Sequence, residues 1–93
     1  MDTITIDSKT FNAYRIPVQN SAILVITGRN GLLGCGYISS ETAEKLGHAL
    51  AIVKGVSTYD DMLAAKVVAV STAASALGIT IGMSGKEALL KLQ

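Results

Sequence analysis

Hydrophobic and polar residues alternate along the first third of the chain and recur at three- and four-residue spacings along the last. Thr3 to Asp7 reads Thr-Ile-Thr-Ile-Asp, a period of two that puts Ile4 and Ile6 on one face of a half-buried strand. Beyond the polar corner Asp7-Ser8-Lys9, Thr10 to Val18 carries Phe11, Tyr14, Ile16 and Val18 and predicts a second strand. Pro17 lacks an N–H for a ladder bond, so the end of that strand belongs at an edge or a bulge. The run Ile23-Leu24-Val25-Ile26 is apolar at every position and predicts a central strand covered above and below. Gly28-Arg29-Asn30-Gly31 then supplies a turn, Asn30-Gly31 tolerating the left-handed conformations that hairpins use, and Leu32 to Ile38 returns as a strand.

The period changes after Ile38. Ser39 or Ser40 caps a helix of about two turns through Glu41, Ala43, Glu44 and Leu46, with Glu41 at the positive end of its dipole and Gly47 closing it. Ala49 to Val53 follows as a buried strand, and the spacing from Ile38 suits a helical crossover to a parallel neighbour. From Thr58 no Gly or Pro intervenes before Gly78, and Leu63, Val67, Val70, Ala74 and Leu77 share one helical face. This pattern predicts a single long helix over 58–77; the competing reading makes Val67 to Val70 a short strand, because β-branched residues favour sheets. Leu77-Gly78-Ile79 reads as a helix stop. Ser84-Gly85-Lys86-Glu87 fits a capping box that opens a short amphipathic helix through Ala88, Leu89, Leu90 and Leu92. The expected fold is therefore α+β, one domain over 1–93. It has an N-terminal, mostly antiparallel sheet, a βαβ crossover, and one long and one short C-terminal helix packed on the sheet.

Several of these segments resemble a known family. Gly34-Cys35-Gly36-Tyr37, Glu41-Thr42-Ala43-Glu44-Lys45-Leu46-Gly47, Ala51-Ile52-Val53 with Gly55-Val56, Asp61-Met62-Leu63 with Ala65-Lys66-Val67, Leu77-Gly78-Ile79, and Gly82-Met83-Ser84-Gly85 with Glu87-Ala88-Leu89 are similar to the YunC-like family of small bacterial and archaeal domains of unknown function. The resemblance runs from Ile23 to Leu92. It implies an α+β domain whose N-terminal β region, about residues 1–38, helps to assemble a tetramer, and it carries no catalytic residues.

Composition points the same way. Of 93 residues, 49% are apolar and only 16% are charged, against a usual charged share of roughly 25%. A domain of this size buries only about 60 to 65% of its unfolded surface. Apolar side chains therefore exceed what one small core can hide, and the expected partner is a second copy of the same chain. The net charge of +1 offers no field for nucleic acid or an anionic membrane surface. Ala22 to Ile26, a wholly apolar run that no other exceeds, is far short of the ~18 residues of a membrane span. Met1-Asp2-Thr3 has no basic segment ahead of a hydrophobic one. With a single cysteine, a cytoplasmic setting without an internal disulfide is the expectation.

Candidate chemistry gathers between Thr27 and Gly36, which holds Gly28, Gly31, Gly34 and Gly36, four of the nine glycines, together with Cys35. Glycine lets a ligand or another backbone approach closely. Arg29 offers a planar donor fork to an acidic group, so Arg29, Gly31, Gly34 and Gly36 form one candidate binding set for a small acidic metabolite at the turn or at a subunit interface. Ser57, at the start of the helix expected from Thr58, is a further candidate through its free amide, although Asp60 and Asp61 already supply negative charge there. Cys35 could serve as a nucleophile with His48 as base, against the usual role of a free cysteine as a small buried hydrophobe. A third reading is a structural interaction domain without a ligand. Gly31-x-x-Gly34-x-Gly36 is not the dinucleotide fingerprint, and Gly82 to Glu87 is too compressed for a phosphate loop. No metal ligand set or cofactor motif is expected; Asp60 and Asp61, adjacent on a helix, point about 100° apart.

Overall fold

A computed structural model describes residues 1–93. A single six-stranded sheet runs in chain order: β1 (Asp2–Ile6), β2 (Lys9–Val18), β3 (Ser21–Thr27), β4 (Leu32–Gly34), β5 (Leu50–Ile52) and β6 (Ala69–Val70). Four short helices accompany it: α1 (Ser40–Leu46), α2 (Tyr59–Ala64), α3 (Thr72–Ala76) and α4 (Gly85–Lys91). Every neighbouring pair is antiparallel except β4 and β5, which are parallel and joined by the crossover through α1. The fold is the expected α+β arrangement.

Register explains the two faces. Pairing of Ala13 with Ile26 and of Ile26 with Leu33 places Phe11, Ala13, Leu24, Ile26 and Leu33 on the face that meets α2 and α4. There Met62, Val67, Leu89 and Leu92 complete the main core. On the opposite face, α1 lays Ala43 over Leu50 and Ile52, with Leu32, Ile38 and Ala69 around them. This cover stops at β4. Tyr14 pairs with Val25 and Ile16 with Ile23, so these four share a face of β2 and β3. Ile16 is 56% exposed and Tyr14 37%. The strand expected to be covered on both sides is thus covered on one: Ala22, Leu24 and Ile26 are buried while Ile23 and Val25 are half-buried.

The tight connections carry most of the local strain. Asp7 and Ser8 join β1 to β2 with φ of 50° and 69°, the sign pattern of a type I′ turn, whose twist matches paired strands. Asn30 and Gly31 are not in the left-handed region, so the glycines of the β3–β4 turn serve close packing rather than a positive φ. Pro17 sits where β2 overhangs β1, which pairs only as far as Ala13, and no ladder bond on that edge is lost.

The helix expected over 58–77 is divided. Thr58 caps α2, which ends at Ala64, and Ala65 is extended at φ −70°, ψ 154°. Lys66 bridges Ser84, Val67 donates its amide to Met83 O, and Val68 donates to Ile52 O, so the segment trades helical bonds for tertiary ones before entering β6. Ser71 then caps α3. The short-strand reading of Val67 to Val70 is the one the chain adopts, because β-branched side chains find a sheet edge beside β5 to join. The other helix signals hold: Ser39 caps α1, Gly47 closes it at φ 72°, and Ser84 and Glu87 form both bonds of the capping box.

Candidate functional site

Three stretches distant in sequence converge on one cleft. The β3–β4 turn supplies Arg29, Asn30 and Gly31, the end of β3 and start of β4 supply Thr27 and Leu32, and the connection from α1 to β5 supplies Gly47, His48 and Ala49. The cleft measures about 510 Å³. Arg29 and His48 are both exposed and stand on different segments of its wall, and no carboxylate lines it.

The turn is held by the C-terminal residues. Gly28 donates to Gly31 O at 2.8 Å, Asn30 N donates to Leu92 O at 2.7 Å, and the Asn30 amide donates to Gln93 O at 2.9 Å. Gln93 returns the contact: its Oε1 accepts from Arg29 N at 3.2 Å and its Nε2 donates to Thr10 O at 3.2 Å. These bonds fix the Arg29 backbone and leave its guanidinium at the surface. The glycines serve this packing. A Cβ on Gly28 would lie 2.6 Å from Leu92 O, and one on Gly31 would run into Ala49 O and sit 2.7 Å from Leu92 Cδ2.

On the other wall, Gly47 in its left-handed cap turns the chain out of α1. Ser71 fixes the backbone just beyond it: the serine hydroxyl donates to His48 O at 2.7 Å and accepts from Leu50 N at 2.9 Å and Ala74 N at 3.2 Å. A buried serine, 2% exposed, therefore caps α3 and anchors the segment that presents His48.

Cys35 lies elsewhere. It is 4% exposed, its amide donates to Leu24 O at 3.1 Å, and its Sγ accepts from Leu24 N at 3.3 Å. Cys35 and Gly36 border a separate cavity of about 210 Å³ with Tyr37 and Val56. His48 does not line that cavity, so the fold does not bring the thiol and the imidazole into one space. Gly34 is buried under the Ile38 side chain, where a Cβ would lie 2.6 Å from Ile38 Cγ1. Ser57, just before the Thr58 cap, is tied to the first turn of α2, its amide donating to Asp61 Oδ2 at 3.0 Å while its carbonyl accepts from Arg15 Nε at 3.3 Å. Of the residues singled out in the sequence, Arg29, Gly31 and His48 meet in the cleft; Cys35 and Gly36 form a second locus; Gly34 is packing, and Ser57, just before the Thr58 cap, is tied to the first turn of α2. Asn30, Gly47 and Ala49 complete the cleft and carried no individual signal.

Two residues beyond Ser57, at the start of α2, the acidity of Tyr59 is displaced. The Tyr59 hydroxyl donates to Asp2 Oδ2 at 2.8 Å. Burial, that hydrogen bond and the Asp2 charge push its pKa from 10.0 up to about 12, against a lowering influence from Arg15.

The architecture defines a small α+β domain with an open half-sheet and a cleft at the end of its central hairpin. A family described as a domain of unknown function (DUF1805) matches residues 34–92, and the chain belongs to that family. Over 93 residues it is 32% identical to the uncharacterized protein YunC of Bacillus subtilis (strain 168), covering 96% of this chain and 92% of that protein. A crystal structure of a protein of unknown function from Thermoplasma acidophilum superposes with a TM-score of 0.94 at 38% identity, covering 99% of this chain and 90% of that one. The resemblance carried by the segments from Gly34 onward is thus to the right family, whose function is not assigned.

Proposed function

We propose that this chain is a cytoplasmic, self-associating binding module that holds a small acidic metabolite between Arg29 and His48. The observation that carries the reading is the cleft itself, with a cationic fork on one wall, an imidazole on another and no Asp or Glu side chain in its lining. Arg29 supplies the planar pair of donors that matches a carboxylate or phosphate, and His48 adds a further donor. A volume of about 510 Å³ falls in the ordinary range of small-molecule sites. Self-association is supported by the apolar face shared by Tyr14, Ile16, Ile23 and Val25, on which Ile16 and Tyr14 stay exposed in one copy. No helix is long and apolar enough to cross a membrane.

The test is thermal unfolding against a panel of small carboxylates and phosphates. Binding raises the midpoint in proportion to the logarithm of ligand concentration. Arg29→Ala is expected to abolish that rise while light scattering reports the same assembled mass. A rise that survives Arg29→Ala removes Arg29 from the site, and a protomer-sized mass at micromolar protein removes self-association.

A further inference from the structure

We propose that Gln93 is the positioning residue of the acid site, setting through the Arg29 backbone where the guanidinium is presented. The inference rests on the acid-binding reading and adds the group that controls it.

The β3–β4 turn is tied in two ways. Gly28 and Asn30 are held by backbone, Gly28 N donating to Gly31 O and Asn30 N to Leu92 O. Arg29 N takes no backbone acceptor, and its partner is Gln93 Oε1 at 3.2 Å. The residue that carries the charge is thus the one in the turn whose amide is held by a side chain. That side chain is itself placed. Leu92 is buried and donates its amide to Leu89 O at the end of α4, Gln93 O accepts from Asn30 Nδ2 at 2.9 Å, and Gln93 Nε2 donates to Thr10 O at 3.2 Å. Gly28 leaves the path clear, since a Cβ there would lie 3.3 Å from Gln93 Oε1. Both ends of the Gln93 amide are used, one accepting and one donating, so glutamate at this position keeps the acceptor alone and methionine, of similar length, keeps neither bond. His48 supplies the contrast, because its backbone is anchored by Ser71 and not by Gln93.

The experiment follows amide hydrogen exchange and acid titration by NMR in the isotope-labelled full chain, with succinate and inorganic phosphate as probes. In Gln93→Met the Arg29 amide is expected to exchange about fivefold faster, the worth of one net hydrogen bond, while Gly28 and His48 keep their rates. Each probe should then bind about two- to fivefold more weakly, because apparent affinity falls with the fraction of chains whose turn is held. Gln93→Glu, which keeps an oxygen for Arg29 N, is expected to restore the slow exchange. Unchanged exchange at Arg29 in Gln93→Met, equal acceleration at Gly28 and His48, or a Gln93→Glu chain no better protected than Gln93→Met overturns the proposal. Unchanged affinity in Gln93→Met also overturns it and leaves the acid site standing. Failure of both probes to bind the unaltered chain overturns the acid reading and the role of Gln93 together.

Discussion

Replacing Ser71 with alanine should cost far more than the loss of an ordinary helix cap. Three backbone groups depend on this one hydroxyl: Ala74 N at the start of α3, Leu50 N in β5, and the His48 carbonyl. Loss of a serine cap costs about 1 kcal/mol. The Leu50 amide, buried and without another partner, adds about 1–3 kcal/mol. The expected total is about 2–4 kcal/mol, which in a chain of this length lowers the melting midpoint by about 4–8 °C per kcal/mol. Ser39→Ala provides the comparison, because Ser39 is exposed and its hydroxyl accepts only from Thr42 N. That substitution should cost about 1 kcal/mol. Urea unfolding at one fixed protein concentration reads both, with an unchanged denaturant slope showing that the difference lies in stability. If Ser71→Ala is no worse than Ser39→Ala, the Leu50 amide is satisfied by something else, and the claim that Ser71 anchors the His48 wall fails with it.

Two further perturbations probe the edges of the fold. Ser8→Gly relieves the left-handed backbone at φ 69° in the β1–β2 turn; less the entropy of glycine, it should stabilise by about 0.5–1 kcal/mol, and an equal or lower urea midpoint would contradict the turn assignment. For Tyr59 the folded pKa of about 12 lies above the unfolded value of 10.0, so its contribution to stability is complete below pH 10 and fades as pH rises toward 12. In a variant retaining Tyr59 as its sole tyrosine, ultraviolet titration should give a midpoint near 12, brought down by Asp2→Ala; a midpoint indifferent to Asp2 would deny the hydrogen bond its role.

The sheet was legible because a period of two survives in Thr3 to Asp7, because Phe11, Tyr14, Ile16 and Val18 are strand formers, and because the parallel β4–β5 pair needs a crossover of about the length found. The helix over 58–77 misled for a definable reason. Leu63, Val67, Val70, Ala74 and Leu77 keep a helical spacing, yet Val67 and Val68 gain backbone partners from Met83 and Ile52 that lie far along the chain. Ser71-Thr72, an N-cap signal in the middle of that stretch, was the local evidence for a new start. Ile23 to Ile26 misled differently: its second apolar face is real, but the core beneath α1 gathers Leu32, Leu50 and Ile52 from β4 and β5 and takes no residue of β3.

Glycine enrichment from Thr27 to Gly36 reflects close packing at Gly28, Gly31 and Gly34. Permission for close approach was there in the sequence; what approaches was not, because Leu92, Gln93 and Ala49 come from other ends of the topology. Once the chain's own backbone occupies the space that Gly28 and Gly31 leave open, those glycines cannot also cradle a ligand. The side chains that this packing leaves outward are Arg29, from a turn pinned by Gln93, and His48, from a loop pinned by Ser71, and the proposed recognition rests on them. The rigidity of the cleft and its chemistry are thus divided between residues, so a substitution at Gly31 should damage the fold before it damages binding, and one at Arg29 should do the reverse.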